Sequence, residues 1–357
     1  MTRQEFYEKI SKNLPIKRNT DDFLGSVKQF YKDYLDDIKT IDNNEFSSCA
    51  SNKAQTISKV EDCVKTIQDV IQTYLDSCHS EAFSLLKNKI ANPDGSLKIR
   101  VITIEPTTDQ KSFFYRSRKD DGNIKTFKNM FHVPNNKRGL IKTTRFSTTG
   151  YPCLYLGNTI YDCWEEMRRP YFETLCFSGY KVIKEFKVYD LLKPSKEEFD
   201  SSDLGAILEH LVYVIACQFT VYNDNDCFKP EYIIPQLILE LIITSNRNKN
   251  QSDTLPWGIA FTSTHLAEDF PYREDYLKNI AIPVVDTTNE YCSYLSSLFE
   301  ISNPINYRYE ELKERDSGLH WGTIGVDTDT ALKESYDATR MGFIEKRLIK
   351  NTTYNKL

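Results

Sequence analysis

No C-x-x-C pair occurs in this 357-residue sequence, although it contains nine cysteines. Scattered and odd in number, they read as reduced thiols in a cytosolic protein, which excludes a disulfide frame and a thiolate zinc site. The five histidines, at 79, 132, 210, 265 and 320, never cluster, so no metal is assigned. Neither G-x-G-x-x-G nor G-x-x-x-x-G-K-[ST] is present, which removes the Rossmann fingerprint and the P-loop. Long apolar runs are missing too. The longest, YIIPQLILELII at 232–243, carries Pro235 and Glu240 and is too short to span a bilayer. The opening MTRQEFYEKI is a polar helix start without the apolar centre of a secretory signal. The expected location is the cytoplasm, with no membrane contact.

What remains is ordinary globular material, 40% hydrophobic and 13% aromatic. The net charge of −5 is uneven. From Arg116 to Arg145, nine Lys or Arg stand against Asp120 and Asp121, a local +7 that leaves −12 for the rest. A basic island in an acidic chain points to an anionic ligand met locally, rather than to a nucleic-acid coat.

Residues 1–95 read as an all-α bundle. Phe23, Val27, Phe30, Tyr31, Tyr34, Leu35 and Ile38 recur at helix spacing, as do Ile57, Val60, Val64, Ile67, Val70, Ile71, Tyr74 and Leu75. NPDGS at 92–96 ends the bundle. An RNase of the HEPN kind needs an Arg and a His a few residues apart on one helix. Before residue 100 only Arg3, Arg18 and His79 are available, which excludes it. From 97 short β-rich runs take over: KIRVITI (98–104), SFFYRSR (112–118), CLYLG (153–157), YKVIKEFKVYDL (180–191), WGIAFTS (257–263) and IAIPVVD (280–286). Helices are expected at 160–169, 205–220, 235–245 and 336–350. The class is α+β, with a mixed sheet core in 97–300 and a C-terminal extension, 301–357, packing on it.

The densest chemistry lies in KTTRFSTTGYPCLYLGNTIYDCWEEMRRP, 142–170. CLYLG is a short strand that places Tyr155 before a turn, and the following helix buries Ile160, Cys163, Trp164 and Met167. On a helical wheel Glu166 lies about 110° from the centre of that face and Glu165 about 150°, so Glu165 is expected to point to water. Upstream, Arg116 and Arg118 share one side of a strand. Arg145 precedes a hydroxyl-rich turn, and guanidinium forks suit phosphate or carboxylate. Arginines, a tyrosine face and one carboxylate fit a dinucleotide. One carboxylate also suits cleavage of NAD: neutral nicotinamide leaves without a proton donor, where ordinary glycoside hydrolysis uses two acids. The competing reading is a structural Arg145–Glu166 ion pair with Tyr155 in the core.

These residues resemble the RES-domain family, named for an Arg, a Glu and a Ser. FYRSR, TRFSTTGYPCLYLGNTIYDCWEEM, YIIPQLILELI and WGIAFTS follow its order of motifs across 112–286. The Tyr-to-Glu spacing of the family places the acid at Glu166, and Ser263 is the family serine; Gln236 opens the proline-led helix. TRFS lacks the family's glycine before the arginine. The resemblance implies an ADP-ribosyltransferase-like fold with NAD as substrate. It gives Arg116 and Arg145 to the phosphates, Tyr155 to stacking at the nicotinamide side, Glu166 to the ribose and Ser263 to the ribose or the acid. It implies an NAD-degrading toxin acting by hydrolysis or phosphorolysis, with ADP-ribosylation of a protein or RNA as the alternative. An antitoxin could then dock on the N-terminal helices. A third reading, an RNA-binding module built on the basic island with Phe127, Phe131 and Phe146 interleaved, leaves Glu166 and Ser263 without purpose.

Overall fold

The computed structural model describes residues 1–106, 113–248, 255–265, 278–316, 336 and 339–357. Helices come first: α1 (Arg3–Lys12), α2 (Phe23–Thr40), α3 (Lys53–Leu75) and α4 (His79–Ile90). Their starts are set by side-chain caps. Thr2 and Glu5 form a capping box on α1, Asp22 caps α2, and Asn52 with Gln55 closes a second box on α3. Strands and helices then mix: β1 (Val101–Ile104), β2 (Phe113–Lys119), α5 (Phe127–Met130), β3 (Cys153–Gly157), α6 (Ile160–Glu166), β4 (Leu175–Val182) and β5 (Phe186–Leu191). Next come α7 (Lys196–Ser201), α8 (Leu204–Cys217), α9 (Ile233–Asn248), β6 (Gly258–Phe261), β7 (Asn279–Pro283) and α10 (Ser293–Leu298). The last elements are β8 (Phe299–Ser302), β9 (Ile305–Asn306), α11 (Tyr307–Asp316), α12 (Arg340–Asn351) and β10 (Tyr354–Asn355). The class is α+β, as the sequence indicates. No helix among the described residues is long and apolar enough to cross a membrane.

The expected boundaries at 95 and 300 are not where the chain divides. One compact unit comprises Met1–Val101, Thr143–Thr148 and Tyr189–Thr264; the other comprises Ile102–Lys142, Thr149–Val188 and His265–Leu357. The reason for the first departure is α8. LGAILEHLVYVIAC is apolar nearly all round and must be covered on every side. The N-terminal helices cover it: Tyr31 and Tyr34 of α2 donate to the carbonyls of Val212 and Leu208, each at 2.7 Å. Residues 16–20 continue the attachment through a parallel bridge, with the Ile16 N–H on the Gln218 carbonyl and the Thr220 N–H on the Ile16 carbonyl, both 2.9 Å. Emptying one such buried position typically costs on the order of 2–5 kcal/mol, so residues 1–95 are part of this unit's core rather than a detachable bundle. The expected single run YKVIKEFKVYDL is two strands, β4 and β5, separated where Lys184 and Glu185 turn outward.

In the second unit β7, β3, β2, β4, β8 and β10 lie side by side in that order with β9 on β4, and the pairings are antiparallel. Helices α6 and α12 pack on one face of this sheet. Ile160 and Cys163 meet Phe113, Tyr115 and Phe177 from the strands and Met341, Ile344 and Leu348 from α12. The C-terminal extension is therefore built into this unit's core. Glu345 of α12 accepts the Ile160 N–H at 2.6 Å and the Tyr336 hydroxyl, so it holds the first turn of α6.

Candidate active site

In the first unit Arg145 occupies a four-residue turn. Thr144 and Ser147 close it, the amide of each bonding the carbonyl of the other at 2.8 and 3.2 Å. Gln236, in the first turn of α9, donates its amide to Thr143 Oγ1 and the Thr144 carbonyl at 2.9 Å and reaches the Ser147 carbonyl at 3.3 Å. Phe146 packs on Phe261 of β6, ring centres 4.7 Å apart. Held this way, Arg145 is only 8% exposed. It donates to the Cys217 carbonyl (3.1 Å) and to Thr264 Oγ1 (2.9 Å) and lies over the Tyr232 ring, 5.2 Å from its centre. Every one of those partners is neutral, and among the described residues no carboxylate pairs with it. A buried cation without a counter-charge is unfavourable, and an anion in bidentate contact offsets that. Ser263, beside Thr264, is fully buried.

In the second unit the register decides which residues meet. Gly157 stands opposite Tyr115 on β2 and opposite Asn279 on β7, and Tyr155 stands opposite Ala281. With a two-residue period, Tyr155, Gly157, Asn279 and Tyr115 share one face of the sheet. Helix α6 covers that face: the Cys163 thiol donates to the Tyr115 carbonyl at 3.2 Å and Ser117 Oγ donates to the Cys163 carbonyl at 3.2 Å. Asn279 Nδ2 donates to Glu166 Oε1 at 3.3 Å. Tyr155, Glu166 and Asn279 are thus brought together, and Tyr155 is half-buried rather than in the core. Arg116 and Arg118 leave β2 from the other face. There Arg116 donates to the Phe131 carbonyl at 2.9 Å, and Arg118 donates to the Asn129 carbonyl. The structure does not group Arg116 with Tyr155.

One expectation for α6 is corrected. Glu165 does not point to water; it is 1% exposed and its Oε2 accepts from Arg169 Nε at 2.8 Å. The helix wheel fails because the helix ends at Glu166. Arg168 and Arg169 adopt left-handed backbone (φ 66° and 51°), and the Arg169 N–H returns to the Trp164 carbonyl at 3.0 Å, folding the chain back over Glu165. Trp164 and Met167 are half-buried and pack against the core on the helix's packed face, as expected, whereas Asp162 is fully buried. Burial pushes the Asp162 carboxyl well above the usual carboxylate range, the Thr159 hydroxyl bond opposes this, and the charges of Glu166 and Glu345 add to it.

Phe131 and Phe146, offered as stacking groups for RNA, are both fully buried, so the basic stretch has no aromatic platform from them. Three partners escaped the sequence: Asn279, Thr264 and Asp162. Asn279 and Thr264 each flank a quoted strand, IAIPVVD and WGIAFTS, and that proximity is the only signal they carry. No group of three or more His, Cys, Asp or Glu among the described residues is placed to hold a metal ion.

No family model matches the chain, and no solved structure matches it. It is 28% identical to a protein of Bacillus subtilis (strain 168) described as "Putative toxin YopC", with 95% of this chain and 78% of that protein covered.

Proposed function

We propose that this chain is an NAD-consuming enzyme of the RES, ADP-ribosyltransferase-like kind, which breaks the bond between nicotinamide and ribose. The observation that carries the reading is the Glu166 carboxylate, held by Asn279 on the sheet face that also presents Tyr155. In the reaction the C1′–N bond breaks and nicotinamide leaves as a neutral molecule with the bonding electron pair. Glu166 stabilises the positive charge that develops on the ribose, an electrostatic contribution made in the transition state. A water or phosphate oxygen then bonds C1′, and water's surplus proton passes to solvent. Tyr155 supplies the ring against which the nicotinamide end rests. Arg145, whose partners among the described residues are neutral, is the group proposed for the diphosphate, and Ser263 is the serine of the resemblance. Arg116 is not given a ligand role here, because its fork is engaged by the Phe131 carbonyl.

The likeness to a protein described as a putative toxin supports a toxin-like role; in the proposed reading NAD loss would be what stops growth, and a partner protein would restrain it. The test is nicotinamide release from NAD by the wild-type chain and by Glu166→Gln, with and without phosphate. Release by the wild type and its loss in the variant is the expected result; intact NAD after prolonged incubation overturns the reading. Transfer of adenylate-side label to a macromolecule, without free ADP-ribose, would make the acceptor a protein or RNA.

A further inference from the structure

Resting on that reading, we infer that Asn279 is the positioning residue for Glu166, its side-chain amide fixing one oxygen of the carboxylate above Gly157. Asn279 is buried at the start of β7, and its place is set by five consecutive β3–β7 pairs, from Cys153–Pro283 to Gly157–Asn279. Its amide leans across the residue directly opposite, and that residue has no side chain. A Cβ on Gly157 would come within 3.1 Å of Asn279 Oδ1, 3.0 Å of Asp162 Cβ and 3.1 Å of Cys163 Sγ. The missing Cβ therefore gives Asn279 the room in which to lie beneath α6. From there Nδ2 reaches Glu166 Oε1 at 3.3 Å.

The chemistry favours this division of labour. Glu166 is the last residue of α6, so the helix alone fixes it weakly. A neutral donor holds a carboxylate without cancelling its charge, whereas an arginine or lysine there would neutralise the field needed at the ribose. Asn279 touches no reacting atom and acts through Glu166.

Nicotinamide release is measured for wild type, Asn279→Ala and Asn279→Asp, and for Asn279→Ala in the Glu166→Gln background, with melting temperatures recorded alongside. Asn279→Ala should lower kcat about 10- to 100-fold with KM changed less than about two-fold, the scale of losing one hydrogen bond to a charged group. Asn279→Asp, equal in shape but carrying an acceptor toward Glu166, should lose more than the alanine variant. Added to Glu166→Gln, Asn279→Ala should cost nothing further, since both act on one group. A kcat for Asn279→Ala within two-fold of wild type, or full additivity with Glu166→Gln, overturns the assignment alone. Absence of nicotinamide release by the wild type overturns the NAD reading and this assignment with it.

Discussion

Both units bury charged side chains, and the company those charges keep differs. The first encloses Arg145 with a carbonyl, a hydroxyl and a ring, while the second encloses the acids Asp162, Glu165 and Glu310. Within each unit some of these charges are closed and some are open. Arg18 and Glu231 form an ion pair with both side chains inaccessible, and Glu310 accepts from Lys313 (2.8 Å) and Arg347 (2.9 Å). Such pairs offset their own charge. Among the described residues Arg145 has only neutral company. The contrast separates groups that hold the fold from groups that keep electrostatic capacity in reserve.

The largest expected effect tests the acid side of this contrast. Glu166→Gln should lower kcat by on the order of 100- to 1,000-fold with little change in KM, because its charge matters only as the nicotinamide bond stretches. NAD affinity by calorimetry should remain near wild type. Arg145→Ala tests the cation side and should act mainly on KM, raising it about 10- to 100-fold, since contacts to the diphosphate exist before and during reaction. If instead Arg145→Ala and Glu166→Gln lost equal melting temperature and both bound NAD normally, the two charges would be structural and the contrast would collapse.

A smaller effect belongs to the clamp. Gln236→Ala removes the amide that ties Thr143, Thr144 and Ser147 together, and should raise KM several-fold, roughly the value of one neutral hydrogen bond. The melting temperature should fall only slightly.

The smallest effects are on stability, and they have opposite signs for the buried histidines and the buried aspartate. Burial pushes the His210 imidazole of the first unit down to about 3, with Arg100 adding to the effect. A folded value below the ordinary 6.5 means full stability above that pH and progressive loss as pH falls toward about 3. His210→Leu should flatten that part of the pH–melting curve, while His132 in the second unit, at about 4, keeps its own share. Asp162 runs the other way. Its folded value lies above the ordinary 3.8, so its contribution is complete below that pH and is lost as pH rises. Asp162→Asn should therefore raise the melting temperature at pH 7 to 8 by roughly 2–4 °C, and the gain should vanish below pH 3.8.

Much of the site's local wiring was legible in the sequence. Tyr155 and Glu166 lie on consecutive elements, a strand and the helix after it, and both elements were expected from the sequence. Arg145 stood out as a lone cation beside a hydroxyl-rich turn. What was not legible depends on distance along the chain. Asn279 lies 113 residues from Glu166, and only the β3–β7 register brings it under α6. Alternation relates Arg116 to Arg118 but not to Tyr155; that Arg116 leaves the sheet on the other face follows only from the cross-strand pairing of Tyr115 with Gly157. Glu165 failed for a third reason, since a wheel describes a helix and not the reversal that follows it. The unit boundaries were hidden in α8, whose all-round apolar surface announced burial without saying what would cover it.

Helix α12 gives the protein an order in time. Arg145, Tyr155 and Glu166 all leave the ribosome in the first half of synthesis, as does the strand that carries Arg116. The support for Glu166's helix comes almost last: Glu345 grips the first turn of α6, and Met341, Ile344 and Leu348 fill the space beneath it. A nascent chain that already contains every residue assigned to cleavage still lacks the floor on which the acid stands. Translation thus completes the packing of α6 only after α12 has emerged.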